Sequence, residues 1–308
     1  MLKLYIGNKN YSSWSMRPWV LLKQGNIRFE EVKVRFDSFD ADSQFKTTVN
    51  ALTPTGKVPV LVDDGLVVWD TLAIAEYVAE QFPQAQLWPA DRAARARARS
   101  LCAEMHAGFT QLRSHCPMNI EASLSDIGAL IWRDQAGVRS DVARIVAMWS
   151  ALLAEHRGPM LFGAFSVVDA YFAPVVMRLR SYRLPVSAAV QAYGDRLVAV
   201  PGVKRWIDDA LAETQAAGGR WLAATSRPSI ADIACFLKRC DTLFELRRGA
   251  DVRGDVRRLP PGQVFAVEQR LKALFDGRFS CPDQPDAGHQ PQRDHADQRG
   301  DHDRRAAR

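Results

Sequence analysis

Three serines crowd one short run, Tyr11-Ser12-Ser13-Trp14-Ser15-Met16-Arg17-Pro18-Trp19. The run lies between an apolar strand signal and the start of a helical pattern. Backbone N–H groups at a helix start lack partners within the helix, and the helix dipole favours an anion there. A serine hydroxyl at such a point donates to a bound thiolate and holds it ionised. The same residue type is also an ordinary N-cap, and the run alone leaves both roles open. A second run, Thr55-Gly56-Lys57-Val58-Pro59-Val60-Leu61, brings a proline into an apolar strand. Proline cannot donate to a ladder, so Pro59 belongs at a strand start or edge, and it is a candidate for a cis bond. A cis bond would turn Val58 outward and free its N–H and C=O for a peptide-like ligand. The alternative is a plain turn before an edge strand. A third run, Asp70-Thr71-Leu72-Ala73-Ile74, sets an acid and a hydroxyl before another helical pattern. Thr71 and the helix start suit a carboxylate and Asp70 suits an ammonium, the two charged ends of an α-amino acid. An Asp/Thr N-cap is again the alternative.

The elements that must position these runs are legible from periodicity. Residues 2–6 form a short apolar strand signal. Met16, Trp19, Val20 and Lys23 have helical spacing over residues 15–23, with Pro18 expected in the first turn and Gly25 as the stop. Val32, Val34 and Phe36 alternate as a second strand over 31–36. Residues 58–62 and 66–69 read as strands joined by the hairpin turn Asp63-Asp64-Gly65. Leu72, Ala75, Val78, Ala79 and Phe82 share one helical face over 71–82. A sheet with helices packed on it accommodates this order. After a linker over 83–89 the chain reads helical to about residue 213. Residues 92–112 read as a single helix rich in Ala and Arg, 142–153 carry a clean apolar stripe, and Ser166-Val167-Val168-Asp169 opens a capped helix. Ser229-Ile230-Ala231-Asp232 resembles a second copy of that capping motif, and from residue 281 the chain has almost nothing to bury and is expected to be disordered.

Composition narrows the function classes. A hydrophobic fraction of 47% and a charged fraction of 25% suit a soluble globular chain, and its 308 residues suffice for two domains. No apolar run approaches the roughly 18 residues of a membrane span, and the first residues lack the apolar core of a signal peptide, so the expected compartment is the cytoplasm. The five cysteines form no C-x-x-C pair and no metal-ligand cluster, so no metal site is expected. The net charge is +6, but residues 1–215 hold 24 basic and 22 acidic side chains. The excess lies mostly in a mixed-sign tail, which is not the footprint of a nucleic-acid-binding face.

Taken in order and spacing, the three runs resemble the amino-terminal domain of the glutathione transferase superfamily, and the helical half fits that superfamily's carboxy-terminal domain, over about residues 1–213. Ser12-Ser13-Trp14-Ser15 is similar to the SSxS signature of the serine-type classes, above all the zeta class, or maleylacetoacetate isomerases, and related bacterial transferases. Trp14 stands where that signature usually has Cys, and Thr71 replaces the more usual Ser while keeping the hydroxyl. The resemblance implies an α/β thioredoxin-like amino-terminal domain plus an all-α carboxy-terminal domain. The expected division is 1–83 for the first, a linker over 84–91, 92–215 for the second, an extension of unassigned architecture over 216–280 and a disordered tail over 281–308. It implies glutathione as cosubstrate, with Ser12 activating the sulfur, Val58 binding the cysteinyl backbone before a cis Pro59, and Asp70 and Thr71 holding the γ-glutamyl end. Ser13, Ser15 and Lys57 complete the implied binding set. The implied activity is conjugation or isomerisation of a small, electrophilic, apolar substrate by a homodimer, with neither nucleic acid nor membrane as partner. The alternative is a noncatalytic protein-binding module of the same fold. Ser166 and Asp169 are implied to be a folding element. His106 and His115 are expected to be surface or core histidines rather than catalytic bases, Trp14, Trp19 and Trp69 core or pocket walls, and Arg17 a solvent-facing or salt-bridged residue, with the glycyl carboxylate of glutathione as its alternative partner.

Overall fold

The computed structural model describes residues 1–37 and 41–216, with side chains to Glu213. The expectations for the extension beyond residue 216, including Ser229 to Asp232, and for the 281–308 tail lie outside the described residues. The chain opens with β1 (Lys3–Ile6), α1 (Ser13–Gln24), β2 (Glu30–Lys33), α2 (Gln44–Asn50), β3 (Val60–Asp63), β4 (Leu66–Trp69) and α3 (Thr71–Gln81). The strands form one sheet in the order β2-β1-β3-β4. β1 runs parallel to β2 and antiparallel to β3, and β3 and β4 form the hairpin expected from the Asp64-Gly65 turn.

The two-residue period of the strands divides the core. Leu4, Ile6 and Leu61 point to the side that packs with α1, α3 and the later helices. Val60, joined by half-buried Tyr5 and Val62, points to the opposite face and meets Phe45 and Val49 of α2. The sequence offered no signal for α2, because seven residues containing Thr47, Thr48 and Val49 carry little helix propensity. Its formation follows from the need to cover the second face.

Among the described residues seven further helices follow: α4 (Arg92–Ala107), α5 (Thr110–His115), α6 (Ser125–Asp134), α7 (Ala136–His156), α8 (Val167–Ser181), α9 (Ala188–Ala199) and α10 (Pro201–Ala216). Three boundaries differ from expectation. The single helix over 92–112 is two, because the chain leaves the helix at Gly108 and Phe109 takes a φ of 53°. α1 starts at Ser13, so Pro18 lies in the helix interior and forfeits the bond to the Trp14 carbonyl. β2 ends at Lys33, although the Val34 N–H still bonds the Ile6 carbonyl at 2.8 Å.

α8 is buried on all sides at the centre of the helical half and packs along α1. Its N-terminus is the expected capping box, with Ser166 and Asp169 in reciprocal contact. Asp169 is wholly buried and accepts from the N–H groups of Leu161 and Ser166 and the hydroxyls of Ser166 and Tyr193. Burial pushes its carboxyl up to about 6, against the pull of those hydrogen bonds. Among the described residues no helix is long and apolar enough to cross a membrane.

Candidate functional site

Strand register gathers the three runs. Tyr5 pairs with Val60, and Val60 pairs with Trp69. The exit of β1, the entrance of β3 and the exit of β4 therefore stand side by side at one end of the sheet, roughly 5 Å apart strand to strand. Ser12, Val58 and Asp70-Thr71 follow or precede those strand ends within a few residues.

At the β1–α1 junction Ser12 occupies the N-cap position but makes no side-chain cap bond. Its Oγ lies 2.7 Å from Ser15 Oγ, and Ser15 Oγ also accepts the Gly7 N–H at 3.2 Å. Ser12 donates in this arrangement. Presenting that proton to a ligand requires the Ser12 hydroxyl to rotate away from Ser15. Ser15 is fully enclosed at 0% exposure, whereas Ser12 retains 6% and Ser13 9%. Ser13 Oγ accepts from Arg178 Nη2 at 3.3 Å. Of the three hydroxyls, Ser12 is the one bonded only to another hydroxyl, and Ser13 is the most exposed.

The peptide bond between Val58 and Pro59 is cis, as expected. Among the described residues the Val58 N–H and C=O make no hydrogen bond. Lys57 beside it is exposed.

At the β4–α3 junction Asp70 has a φ of 74° and caps α3 through Oδ1, which accepts the Leu72 N–H at 2.8 Å. Its Oδ2 remains for a cation and lies 3.2 Å from His106 Nε2. Thr71 Oγ1 accepts from the Tyr171 hydroxyl at 2.9 Å, so its own proton is available to a carboxylate. Asp70→Ala is expected to weaken glutathione binding about tenfold, the low end for a charged hydrogen bond of roughly 1.5–3 kcal/mol, because the Asp70 side chain is 44% exposed. Titration calorimetry reads this directly, and an unchanged affinity would move the ammonium site elsewhere.

Around these junctions the structure gathers residues that the sequence marked only by type, Trp14, Arg17 and His106, and others that it gave no signal for, Arg113, Tyr171 and Arg178. Trp14 is a half-buried wall, with the guanidinium of Arg17 3.9 Å from its ring centroid, Arg113 at 5.2 Å and the His106 ring at 5.0 Å. Arg17 is neither solvent-facing nor salt-bridged. It is buried and donates to the Tyr171 carbonyl at 3.2 Å. Burial pulls Arg17 down to about 9 and Arg178 down to about 10, and both stay charged at neutral pH. Neither they nor Arg113 pairs with a carboxylate among the described residues, and Arg17 Nη1 and Arg178 Nε have no hydrogen-bond partner. His106 is half-buried with Nε2 3.2 Å from Asp70 Oδ2, and His115 Nδ1 lies 2.9 Å from the Gln111 carbonyl. Trp19 is core, whereas Trp69 is 42% exposed on the edge strand. The only available hint was spacing: Tyr171 and Arg178, two turns apart on α8, share the face that meets these junctions.

No thiol of the described chain is suited to attack. Cys102 and Cys116 are buried, and burial pushes Cys116 up to about 12 and Cys102 further.

Comparison with known proteins gives two family-model matches. Residues 11–81 match the glutathione S-transferase N-terminal domain and residues 92–209 the glutathione S-transferase C-terminal domain. A probable maleylacetoacetate isomerase of Caenorhabditis elegans is 28% identical over 190 residues, covering 60% of this chain and 81% of that protein. A glutathione S-transferase of Escherichia coli K12 is 25% identical over 174 residues, covering 54% of this chain and 81% of that one. Among solved structures, a Burkholderia glutathione transferase homologue with bound glutathione superposes with a TM-score of 0.51 at 25% identity, over 68% of this chain and 97% of the other.

Proposed function

Because this chain belongs to the glutathione S-transferase family, we propose that it is an enzyme that binds glutathione at the end of its sheet and directs the thiolate at a small electrophile. The observation that supports this reading is the shared row of strand ends, since Ser12, the unbonded Val58 backbone and Asp70-Thr71 each belong to a segment that joins that row. In this reading Asp70 and Thr71 hold the γ-glutamyl ammonium and carboxylate, Val58 pairs with the cysteinyl backbone, and Ser12 donates to the sulfur. Ser13, Ser15 and Lys57 complete the set, Ser15 from behind and Lys57 from the exposed rim. The thiolate forms a bond to an electrophilic carbon. The displaced electron pair then leaves with a departing group or moves along a conjugated system that later expels the sulfur. The first course is conjugation and the second isomerisation. We place the glutathione domain over 1–83 and the substrate domain over 92–215, and we take the working species to be a cytoplasmic homodimer.

Immobilised glutathione tests the reading together with turnover of halogenated aromatics, organic peroxides and maleylacetoacetate-like acids. Retention with turnover of at least one electrophile is expected. A chain that binds the column but turns over none is the noncatalytic module, and one that does neither has another site.

The three arginines without carboxylate partners favour one class within the panel, electrophiles that carry an anionic group beside an apolar body. Arg113, half-buried near Trp14, is the one a substrate can reach. Arg113→Gln is expected to raise KM for an acidic electrophile about tenfold, the loss of one charged hydrogen bond, and to leave KM for its methyl ester unchanged. Equal effects on acid and ester would assign Arg113 to folding.

A further inference from the structure

We propose that α10 is a clasp that sets the position of the Ser12 hydroxyl, with Trp206, Asp209 and Glu213 as positioning residues. The proposal rests on the reading of Ser12 as the thiolate donor. Lys9 lies three residues before Ser12, and each of its polar groups is bonded to α10. Its N–H donates to Glu213 Oε2 at 3.1 Å, its carbonyl accepts from Trp206 Nε1 at 3.0 Å, and its ammonium donates to Asp209 Oδ2 at 2.7 Å. The same ammonium reaches Glu31 on β2 at 2.7 Å and lies 4.4 Å from the ring centroid of Trp19 on α1. Residues 206, 209 and 213 recur at helical spacing, so one face of α10 supplies all three contacts. Lys9 keeps 2% of its exposure, an unusual place for a lysine unless its charge is paired.

The contact extends to the serine through one turn. The Asn8 carbonyl accepts the N–H of Tyr11 at 3.2 Å and of Ser12 at 2.8 Å. Moving Lys9 moves Asn8, and with it the residue that holds the Ser12 backbone. On the other side Asn10 Oδ1 accepts the N–H groups of Ile120 and Glu121 at 2.7 and 3.0 Å. The β1–α1 loop is therefore held between two parts of the helical half, and α10 supplies the charged side of the grip. Lys33 on β2 also pairs with Glu213, at 2.6 Å, so the helix is tied to the sheet as well as to the loop. The carboxy-terminal family match ends at residue 209, so Glu213 lies past it.

A hydroxyl that must meet a sulfur at hydrogen-bond distance is sensitive to small displacements, and a 1 Å misplacement can cost on the order of 100-fold in rate. Lys9→Met would leave Glu31 without its cation and Asp209 with only Arg205, and invites unfolding. Trp206→Phe keeps an aromatic ring against Trp19 and removes the bond to the Lys9 carbonyl, together with part of a buried side chain's volume. Glu213→Gln weakens the last link and keeps the test readable should Trp206→Phe fold poorly. The experiment is thiolate absorbance of bound glutathione against pH, with kcat and KM for a standard electrophile. Both variants are expected to raise the thiol pKa and to lower kcat at neutral pH about three- to tenfold, with KM for glutathione within about twofold and the deficit shrinking toward pH 9. A thiol pKa and kcat equal to the parent in a folded variant would overturn the clasp, as would a rate loss that persists at pH 9. Ser12→Ala in the same series separates the two readings. If it shifts the pKa and the α10 variants do not, the clasp alone fails. If it shifts nothing, the serine reading fails and the clasp with it.

Discussion

Ser12→Ala should raise the pKa of bound glutathione by about one to two units and cut turnover at neutral pH about 10- to 100-fold. A thiol of pKa about 8.5 is only a few per cent ionised at pH 7, and only the thiolate attacks. A hydrogen bond to an anion is worth roughly 1.5–3 kcal/mol, and one pKa unit is about 1.4 kcal/mol. The start of α1 adds roughly 0.3–1 kcal/mol, which survives the substitution. The rate loss should fade as pH rises past the new pKa, because the missing thiolate then forms without help. Glutathione affinity should fall less than turnover, since Asp70, Thr71 and Val58 remain. Ser15→Ala should produce a smaller shift of the same sign, because it removes the hydroxyl 2.7 Å from Ser12 Oγ that orients it. Ser13→Ala should act least, as Ser13 is engaged by Arg178. A larger shift for Ser15→Ala than for Ser12→Ala would reassign the donor. No shift for any of the three would end the serine mechanism.

Asp169→Ala should destabilise the fold by about 3–5 kcal/mol. The substitution orphans the N–H groups of Leu161 and Ser166 and the hydroxyl of Tyr193, each engaged in the buried interior at 3.2, 2.9 and 3.0 Å. An orphaned buried donor costs about 1–3 kcal/mol. Removing a desolvated carboxylate returns part of that sum, which is the reason the expectation stops near 5 kcal/mol. This exceeds the roughly 0.5–2 kcal/mol of a simple cap, because Asp169 closes four contacts rather than one. Urea unfolding measures it, and a loss under about 1 kcal/mol would reduce Asp169 to a surface-type cap. The carboxyl also has a pH signature. Its folded value of about 6 lies above the ordinary 3.8. Between those values the folded chain holds a proton that the unfolded chain has released. The stability this contributes is complete below 3.8 and is lost as pH rises through about 6. Asp169→Asn, which does not titrate, should flatten that part of the profile.

The legible part of the fold was the part written in short-range periodicity. α3 was expected over 71–82 and runs Thr71–Gln81, and the β3–β4 hairpin follows its Asp-Gly turn. The capping box was visible because its partners are three residues apart. Where tertiary needs override local preference, the expectation slipped. Pro18 lies inside α1, since that helix is clamped between the sheet and α8 and tolerates the lost bond. Trp69 looked like a wall residue by type alone, and only the strand order shows that it stands on an edge.

The amino-acid sequence by itself determined which chemical groups stand at the three junctions, because strand ends, helix starts and their hydroxyls or acids are adjacent in the chain. It equally determined that Ser12 could be either a cap or a donor. The tertiary structure turns the Ser12 hydroxyl to Ser15 and leaves the cap bond unmade. It also set Arg178 against Ser13 across 165 positions and Lys9 against Asp209 across 200. Contacts at that separation follow from how whole helices pack, and no spacing rule over a few residues encodes them.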